Sequence, residues 1–341
     1  MKDHVIGIDI GGTTVKIGLF RVSGEGPSGA ELLDKTQIPT RTEDHGERIL
    51  PDVASAVLLM LEKHGISREQ VTGAGIGVPG PVLETADGTL VERCVNLGWY
   101  HKDAAKEFAA LSGLTPVAVT NDANAAALGE LYFGLDAADS DDAVRGNAVM
   151  VTLGTGVGGG VVVRGSLISG THGNAGEIGH MKITPSHRLI SRILEAAPEE
   201  AAADGIFATD DLEHYVSARG IANVGRAYLK YAAGETALRK YRHISAKVIF
   251  DEAKKGDPEA LELAAFCFDT LGTALADIAT VTDPAIFVIG GGVSAAGQFL
   301  IDGLQAAYRE RAFLACGDAQ FRLARLGNDA GIYGAAGLIL R

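Results

Sequence analysis

Cysteine is scarce, with three in 341 residues (Cys94, Cys267 and Cys316). They lie far apart and form no C-x-x-C pair, which excludes a disulfide framework and reads as free thiols in a reducing compartment. Runs of Lys or Arg are absent, and the net charge is −13. A nucleic-acid binder or a protein of anionic membranes would show a basic face, so neither class is expected. No uncharged apolar stretch reaches the ~18 residues of a membrane span. "LGTALADIATV" carries Asp277, and "AIFVIGGGV" is broken by glycines. The strand-like "HVIGIDI" begins at residue 4, which leaves no room for a signal peptide. These absences together predict a cytoplasmic location.

Glycine is abundant at 45 residues, concentrated in tight clusters rather than linkers, which points to turns and to backbone brought close to ligands. Hydrophobic residues make up 47% and charged residues 21%, enough for sizeable cores, and at ~150 residues per domain the length predicts two domains. Two segments share one design: "VIGIDIGGTTVKIGLF" at Val5–Phe20 and "AVMVTLGTGVGGGVVV" at Ala148–Val163. Each is a β-rich run, a Gly/Thr turn and a second β-rich run, so each reads as a hairpin and the pair predicts two related lobes. Between them helix-like and strand-like segments alternate: "GERILPDVASAVLLMLEKHG", "VTGAGIGVPG", "HKDAAKEFAALSG", "PVAVTND", "ANAAALGELYFG". That alternation is the mark of an α/β fold. Further on come a polar loop at 134–146, an amphipathic run over Pro258–Thr282, a buried strand "AIFVIGGGVS" opening a helix near Ala295, and a last helix over Ala330–Leu340.

Four clusters carry chemistry. In the first turn, Gly11, Gly12, Thr13 and Thr14 offer unobstructed N–H groups and hydroxyls suited to phosphate oxygens. The Asp9 carboxylate beside them suits Mg²⁺, directly or through water. The second turn, from Gly154 through Thr155 and Gly156 to Gly160, formally contains G-x-G-x-x-G. Strand-like "VVVRGSL" follows it instead of a helix, so the dinucleotide reading fails, and no Walker P-loop is present. A second phosphate-cradling hairpin is the better reading. In the third cluster, Asn121 and Asp122 stand where the strand "VAVT" meets an Ala-rich helix. Asp122 there is either a helix cap or a base that accepts a hydroxyl proton. The fourth, "GTHGNAGEIGHM" at 170–181, sets Asn174, Glu177 and His180 among glycines, polar groups for which sugar hydroxyls are suitable partners.

Together these pieces resemble the ROK family of sugar kinases, and its bacterial glucokinases most. "DIGGTT", "GIGVPGPV", "VNLGW", "NDANAAALGE", "TLGTGVGGG", "GNAGEIGHM" and "IGGGVS" occur in the family's order and span essentially the whole chain. The resemblance implies an α/β, actin-like (ribonuclease H-like) two-domain ATPase fold with a central cleft. The lobes are expected at 1–122 and 123–341, with the helix 330–340 packing back on the first. It implies ATP and Mg²⁺ as cofactors, a hexose as substrate and assembly as a homodimer. Asp122 matches the family's catalytic base. Asn96, Asn121, Glu177, His180 and Glu213 match its sugar contacts. Asp9, Gly11, Gly12, Thr13, Thr14, Thr155 and Gly156 fall in the phosphate and magnesium turns, and Gly291 and Gly292 match the glycines beside adenosine. Glucose is the expected substrate; an N-acetylhexosamine, mannose, fructose or allose is the alternative within the class. Outside it stand a sugar-responsive repressor, which would carry a helix-turn-helix before the motif at residue 9, and an actin- or chaperone-like ATPase without a small substrate.

One departure is plain. After G-H the family places a C-x-C-G-x-x-G-C-x-E segment whose three cysteines bind zinc together with the His. Residues 182–212 here contain no cysteine. Tetrahedral zinc needs four ligands, so zinc is expected to be absent, with "RILEAAPEEAAADG" supplying a helix–turn in place of the knuckle.

Overall fold

The structure is a computed structural model that describes residues 2–24, 29–85, 88–135, 144, 146–184, 187–203 and 209–340. Most of the polar loop expected at 134–146 lies outside the described residues. The chain forms two compact units: residues 1–146, 160–176 and 325–341 in the first, and 147–159 and 177–324 in the second. The helix at Asp122–Gly129 therefore belongs to the first unit, as does the C-terminal helix, and the units are drawn differently from the expected division after residue 122.

In the first unit the strands are β1 (His4–Ile10), β2 (Thr14–Val22), β3 (Ala30–Pro39), β4 (Val71–Val78), β5 (Val82–Thr85), β6 (Gly88–Cys94), β7 (Trp99–Lys102) and β8 (Val117–Asn121). Five of them form one sheet in the order β3-β2-β1-β4-β8. β1 pairs antiparallel with β2 and parallel with β4, and β4 runs parallel to β8. β1 and β4 are buried almost throughout, as interior parallel strands covered on both faces must be. The helix Ile49–Lys63 buries Ile49, Leu50, Val53, Ala54, Val57, Met60 and Leu61, the spacing of a single helical face. A small antiparallel sheet, β5-β6-β7, was not legible in the sequence, where "HKDAAKEFAALSG" read as helix from its first residue. His101 and Lys102 are in fact strand, and the helix starts at Ala104 after the Asp103 cap.

The C-terminal helix Ala330–Leu340 packs on β1, β4 and the helix Asp122–Gly129 with backbone against backbone. A Cβ at Gly7 would lie 1.9 Å from the Ile332 carbonyl oxygen, and one at Gly75 would lie 1.7 Å from that of Ala335. A Cβ at Gly334 would lie 1.6 Å from the Ala125 oxygen, and one at Gly129 would lie 2.2 Å from that of Ala330. Helix and sheet can meet this closely only where side chains are missing.

In the second unit, β9 (Asn147–Leu153), the first half of β10 (Val157–Val163), β12 (Ile286–Gly290) and β13 (Gln320–Leu323) stand in the order β10-β9-β12-β13. β12 is parallel to both β9 and β13, so the arrangement repeats that of β2-β1-β4-β8. The far end of β10 pairs with the short β11 (Ser166–Leu167) in the stretch counted with the first unit. Helices Ala218–Tyr231, Ala246–Lys254, Pro258–Thr282 and Gln298–Arg309 complete the second unit. Pro258–Thr282 is long and apolar enough to cross a membrane, but Leu263, Phe266, Leu271 and Leu275 are buried, as in a core helix. The helix expected near Ala295 begins later, at Gln298, after a tight turn over Gly292–Ala296.

Overpacking usually costs ~1–3 kcal/mol, and backbone contacts cannot yield as side chains do. We expect Gly334→Ala and Gly75→Ala to reach at least the top of that range, whereas Gly65→Ala, in open space though at a positive φ, loses far less. Urea unfolding of the three variants checks this; equal midpoints would show that the helix can withdraw without loss.

Candidate active site

The first turn closes β1 onto β2 through the pair Ile10↔Val15. Gly11 N donates to the Thr14 carbonyl at 3.0 Å, and from β3's end Thr40 Oγ1 donates to the Gly11 carbonyl at 2.7 Å. The turn is thereby fixed while Gly12 and Thr13 stay exposed. Burial pushes the Asp9 carboxyl above its ordinary range, and Lys16, with Nζ 3.4 Å from Asp9 Oδ2, pulls it back. Asn96 reaches the same turn: a Cβ at Gly12 would lie 3.6 Å from its Cβ.

Asp122 stands at the other end of the same sheet edge. Asp9 on β1 pairs with Gly77 on β4, and Gly77 pairs with Thr120 on β8, so both carboxylates sit at carboxyl ends of parallel strands flanking β4. Ligands of α/β sheets bind at such ends. The cap of the helix Asp122–Gly129 is Asn121: its Oδ1 accepts from Ala123 N at 2.9 Å and Asn124 N at 3.3 Å. Asp122 is the first residue of the helix, half-buried, with Oδ1 2.8 Å from Ala123 N. Of the two roles read from the sequence for Asp122, that of helix cap thus falls to Asn121. Asn121 Nδ2 also donates to the Gly80 carbonyl at 3.1 Å, so most of this side chain's hydrogen-bonding capacity is spent inside the protein. Burial raises the Cys94 thiol, the N–H groups of Leu97 and Asn96 oppose this, and the Asp122 charge adds to it. Asn96 and Asp122 therefore share one neighbourhood.

In the second unit the turn between β9 and β10 holds Thr155, exposed, and Gly156. Glu213 lies against this turn: its Oε2 accepts from Val157 N at 3.3 Å, and a Cβ at Gly156 would lie 2.7 Å from that oxygen. The glycine at 156 thus admits a carboxylate, which spacing alone could not reveal. Glu177 and His180 begin and end one tight turn, with His180 N donating to the Glu177 carbonyl at 3.1 Å, and both side chains are exposed. A turn of three residues per repeat stacks i and i+3 on one side. Gly291 has φ +82 and Leu153 backbone atoms 2.5–2.7 Å from a built Cβ, so only glycine fits. Gly292 faces open space and lines a cavity of about 280 Å³ with Ala218, Ser245, Lys247, Phe250, Val293 and Ala296. Of the two glycines singled out in the sequence, Gly292 lines this cavity and Gly291 does not; Phe250 and Lys247 lie on a helix distant in sequence and gave no motif.

The segment following His180 forms helices Arg188–Ala196 and Pro198–Ala203. Its ends are tied together by Ile183 N donating to the Asp210 carbonyl at 2.8 Å, Leu212 N to the Met181 carbonyl at 2.9 Å, and Lys182 pairing with Asp210 and Asp211. The first helix is pinned to Pro258–Thr282 by ion pairs of Arg188 with Glu262 and Arg192 with Glu259, while His187 lies 3.5 Å from Asp269. Among the described residues no three His, Cys, Asp or Glu side chains are placed to hold a metal ion, and the three thiols are buried elsewhere. The donor set does not fit the family's zinc.

His187 caps its helix, Nδ1 accepting from Leu189 N at 3.1 Å, which requires that nitrogen unprotonated. Burial lowers its basicity; Glu262 and Asp269 oppose this, and Arg188 and Arg311 add to it. The unfolded chain takes up a proton near pH 6.5 that the folded imidazole resists. This contribution to stability is therefore complete above pH 6.5 and is lost as pH falls toward the lower folded value. Thermal unfolding should show His187→Asn, which keeps a cap acceptor, losing less stability than the parent between pH 7 and roughly pH 5.5. Parallel losses would remove His187 from the cause.

A model of the ROK family matches residues 5–341. The glucokinase of Halalkalibacterium halodurans is 36% identical, covering 98% of this chain and 94% of that protein. The N-acetylmannosamine kinase of Escherichia coli is 31% identical over 97% of this chain and 96% of its own. Among solved structures, the ROK family glucokinase of Streptomyces griseus in complex with glucose and AMPPNP is 29% identical, with a TM-score of 0.66 and 98% of each chain covered. The chain belongs to the ROK family and shares the actin-like α/β fold of its sugar kinases. Matching these kinases along its full length, it is an enzyme of the sugar-kinase class.

Proposed function

We propose that the protein transfers the γ-phosphoryl group of Mg·ATP to a hydroxyl of a hexose, glucose first. The observation that carries this reading is the placement of Asp9 and Asp122 at carboxyl ends of parallel strands on either side of β4. Asp122 takes the proton from the attacking hydroxyl as the new O–P bond forms and the bond to ADP breaks. Asp9 would hold magnesium, directly or through water, and the turns Gly11–Thr14 and Thr155–Gly156 would offer N–H groups to the phosphates. The cavity beside Gly292 takes the adenine, its apolar wall suiting a flat ring. Asn96, Glu177, His180 and Glu213 bond sugar hydroxyls; Asn121 contributes mainly by shaping the end of β8. The protein works in the cytoplasm, without nucleic acid or membrane partners, as a homodimer.

An N-acetylhexosamine is the second reading, since the N-acetylmannosamine kinase matches over nearly the whole chain. ADP release over a panel of hexoses and N-acetylhexosamines separates the two. ATP hydrolysis that no sugar stimulates would defeat both.

Asp122→Asn retains shape and hydrogen bonding but not the proton acceptor, so kcat should fall by about 10²–10⁴-fold. Sugar binding by calorimetry should stay within roughly an order of magnitude. Near-normal turnover would exclude Asp122 as the base.

Zinc is not required in this scheme. Elemental analysis of the purified protein should find far less than one zinc per chain, and EDTA should abolish activity in a way that Mg²⁺ alone restores. A chelator-induced fall in Tm without nucleotide would contradict this, because structural zinc contributes folding free energy.

A further inference from the structure

Glu130 has no role in the scheme above, yet it is a carboxylate only 1% exposed. It follows the helix Asp122–Gly129, where the chain widens into a broader turn over Glu130–Gly134. Its Oε2 accepts from Arg325 N and its Oε1 from Leu326 N, each at 2.8 Å. Gly134 leaves room for this carboxylate, since a Cβ there would lie 2.1 Å from Oε2. Just beyond the gripped pair, the Asn328 carbonyl accepts from Lys16 Nζ at 2.6 Å, and the same ammonium stands 3.4 Å from Asp9 Oδ2. Asp329 then pairs with Lys35 on β3 at 2.6 Å.

Two consecutive N–H groups pointing into a dry site need two acceptors. A carboxylate supplies both, while an amide supplies one and sets its own N–H₂ against the other. The charge is buried at a cost, offset because both oxygens accept hydrogen bonds. A surface loop could be closed without burying a carboxylate; what this arrangement adds is a fixed position for the Asn328 carbonyl.

We infer that Glu130 is a positioning residue for phosphoryl transfer: by gripping Arg325 and Leu326 it fixes the Asn328 carbonyl, which with Asp9 aims the Lys16 ammonium along the first glycine turn. This rests on the proposed binding of the nucleotide phosphates at that turn. Lys16 is the group that meets them, and Glu130 acts on the reaction only through it.

The test is a double-mutant cycle on the full chain, using the hexose that the parent protein turns over best. Glu130→Gln should lower kcat/KM for ATP on the order of 10–100-fold, the scale of a small misplacement of a catalytic group. The sugar KM should change less than about twofold. Lys16→Met should lower the same parameter, and the double variant should be no worse than the poorer single, since the two act in one chain. A merely structural Glu130 would give losses that multiply, or an equal rise in the sugar KM; either result overturns the role, as does an unchanged kcat/KM in Glu130→Gln. Should Glu130→Gln not fold, Glu130→Asp replaces it, keeping two acceptor oxygens on a shorter stem, with the same criteria. A parent protein that phosphorylates no hexose would defeat the proposed function itself, a result distinct from any of these.

Discussion

The first unit depends on one contact: a helix laid on a sheet so closely that at its glycines backbone meets backbone. Ala330–Leu340 reaches β1 at Gly7, β4 at Gly75 and the helix Asp122–Gly129 at Gly129 and Gly334, and at each point an added methyl would overlap a carbonyl oxygen. Glycine in strands and helices costs ~0.5–1 kcal/mol relative to alanine through backbone entropy. The gain is proximity. Gly331, in the first turn of that helix, brings it so near Asp9 that a Cβ would sit 2.6 Å from the Asp9 Cγ. The same helix backs the one that Asp122 opens, so both candidate carboxylates are braced by a single element whose position cannot drift without steric overlap.

That bracing changes the electrostatics. Asp9 is brought among apolar strands, and burial works against its charge; the Lys16 ammonium is what opposes the shift. Asp122 is half-buried in the first turn of a helix, a place that favours negative charge. Two carboxylates at one sheet edge thus differ in surroundings: Asp9 is buried beside a lysine, while Asp122 is half-buried at the start of a helix.

Much of this was legible in the chain. The two glycine hairpins, the alternating strands and helices and the helix Pro258–Thr282 follow from periodicity and turn residues, which are local. Asp9, Asp122, Glu177 and His180 became candidates because polar residues stood out among glycines and apolar strands. Relations between distant segments were not legible. Nothing near residue 121 says that Asn121 rather than Asp122 caps the helix, because either side chain can serve and only the loop at Gly80 decides. Gly156 read as a phosphate donor; its neighbour Glu213 comes from 57 residues further on. Glu130 and Lys16 are joined through a loop almost two hundred residues from Glu130, and a lone glutamate in an alanine-rich helix carries no signal of burial.

The segment after His180 makes the opposite case, in which an absence in the sequence had a structural answer. A metal knuckle fixes a short loop by strong bonds to a few atoms, and its loss must be made up by something with comparable reach. Here the work is spread over weak contacts. Arg188, Arg192 and His187 on one side face Glu262, Glu259 and Asp269 along a long core helix, and Arg192 also lies 4.8 Å over the Tyr228 ring. Surface ion pairs contribute little singly, and Arg188 is largely exposed. Its partner Glu262 is buried, however, so removing Arg188 strands a carboxylate out of water, which costs more than the pair supplies when made. The arrangement therefore holds the helix in place chiefly by penalising its departure. Leu189 and Ile193, both fully buried, supply the attraction. Glu213 then stands between two backbone ties, Leu212 N to the Met181 carbonyl and Ala218 N to the Gly154 carbonyl.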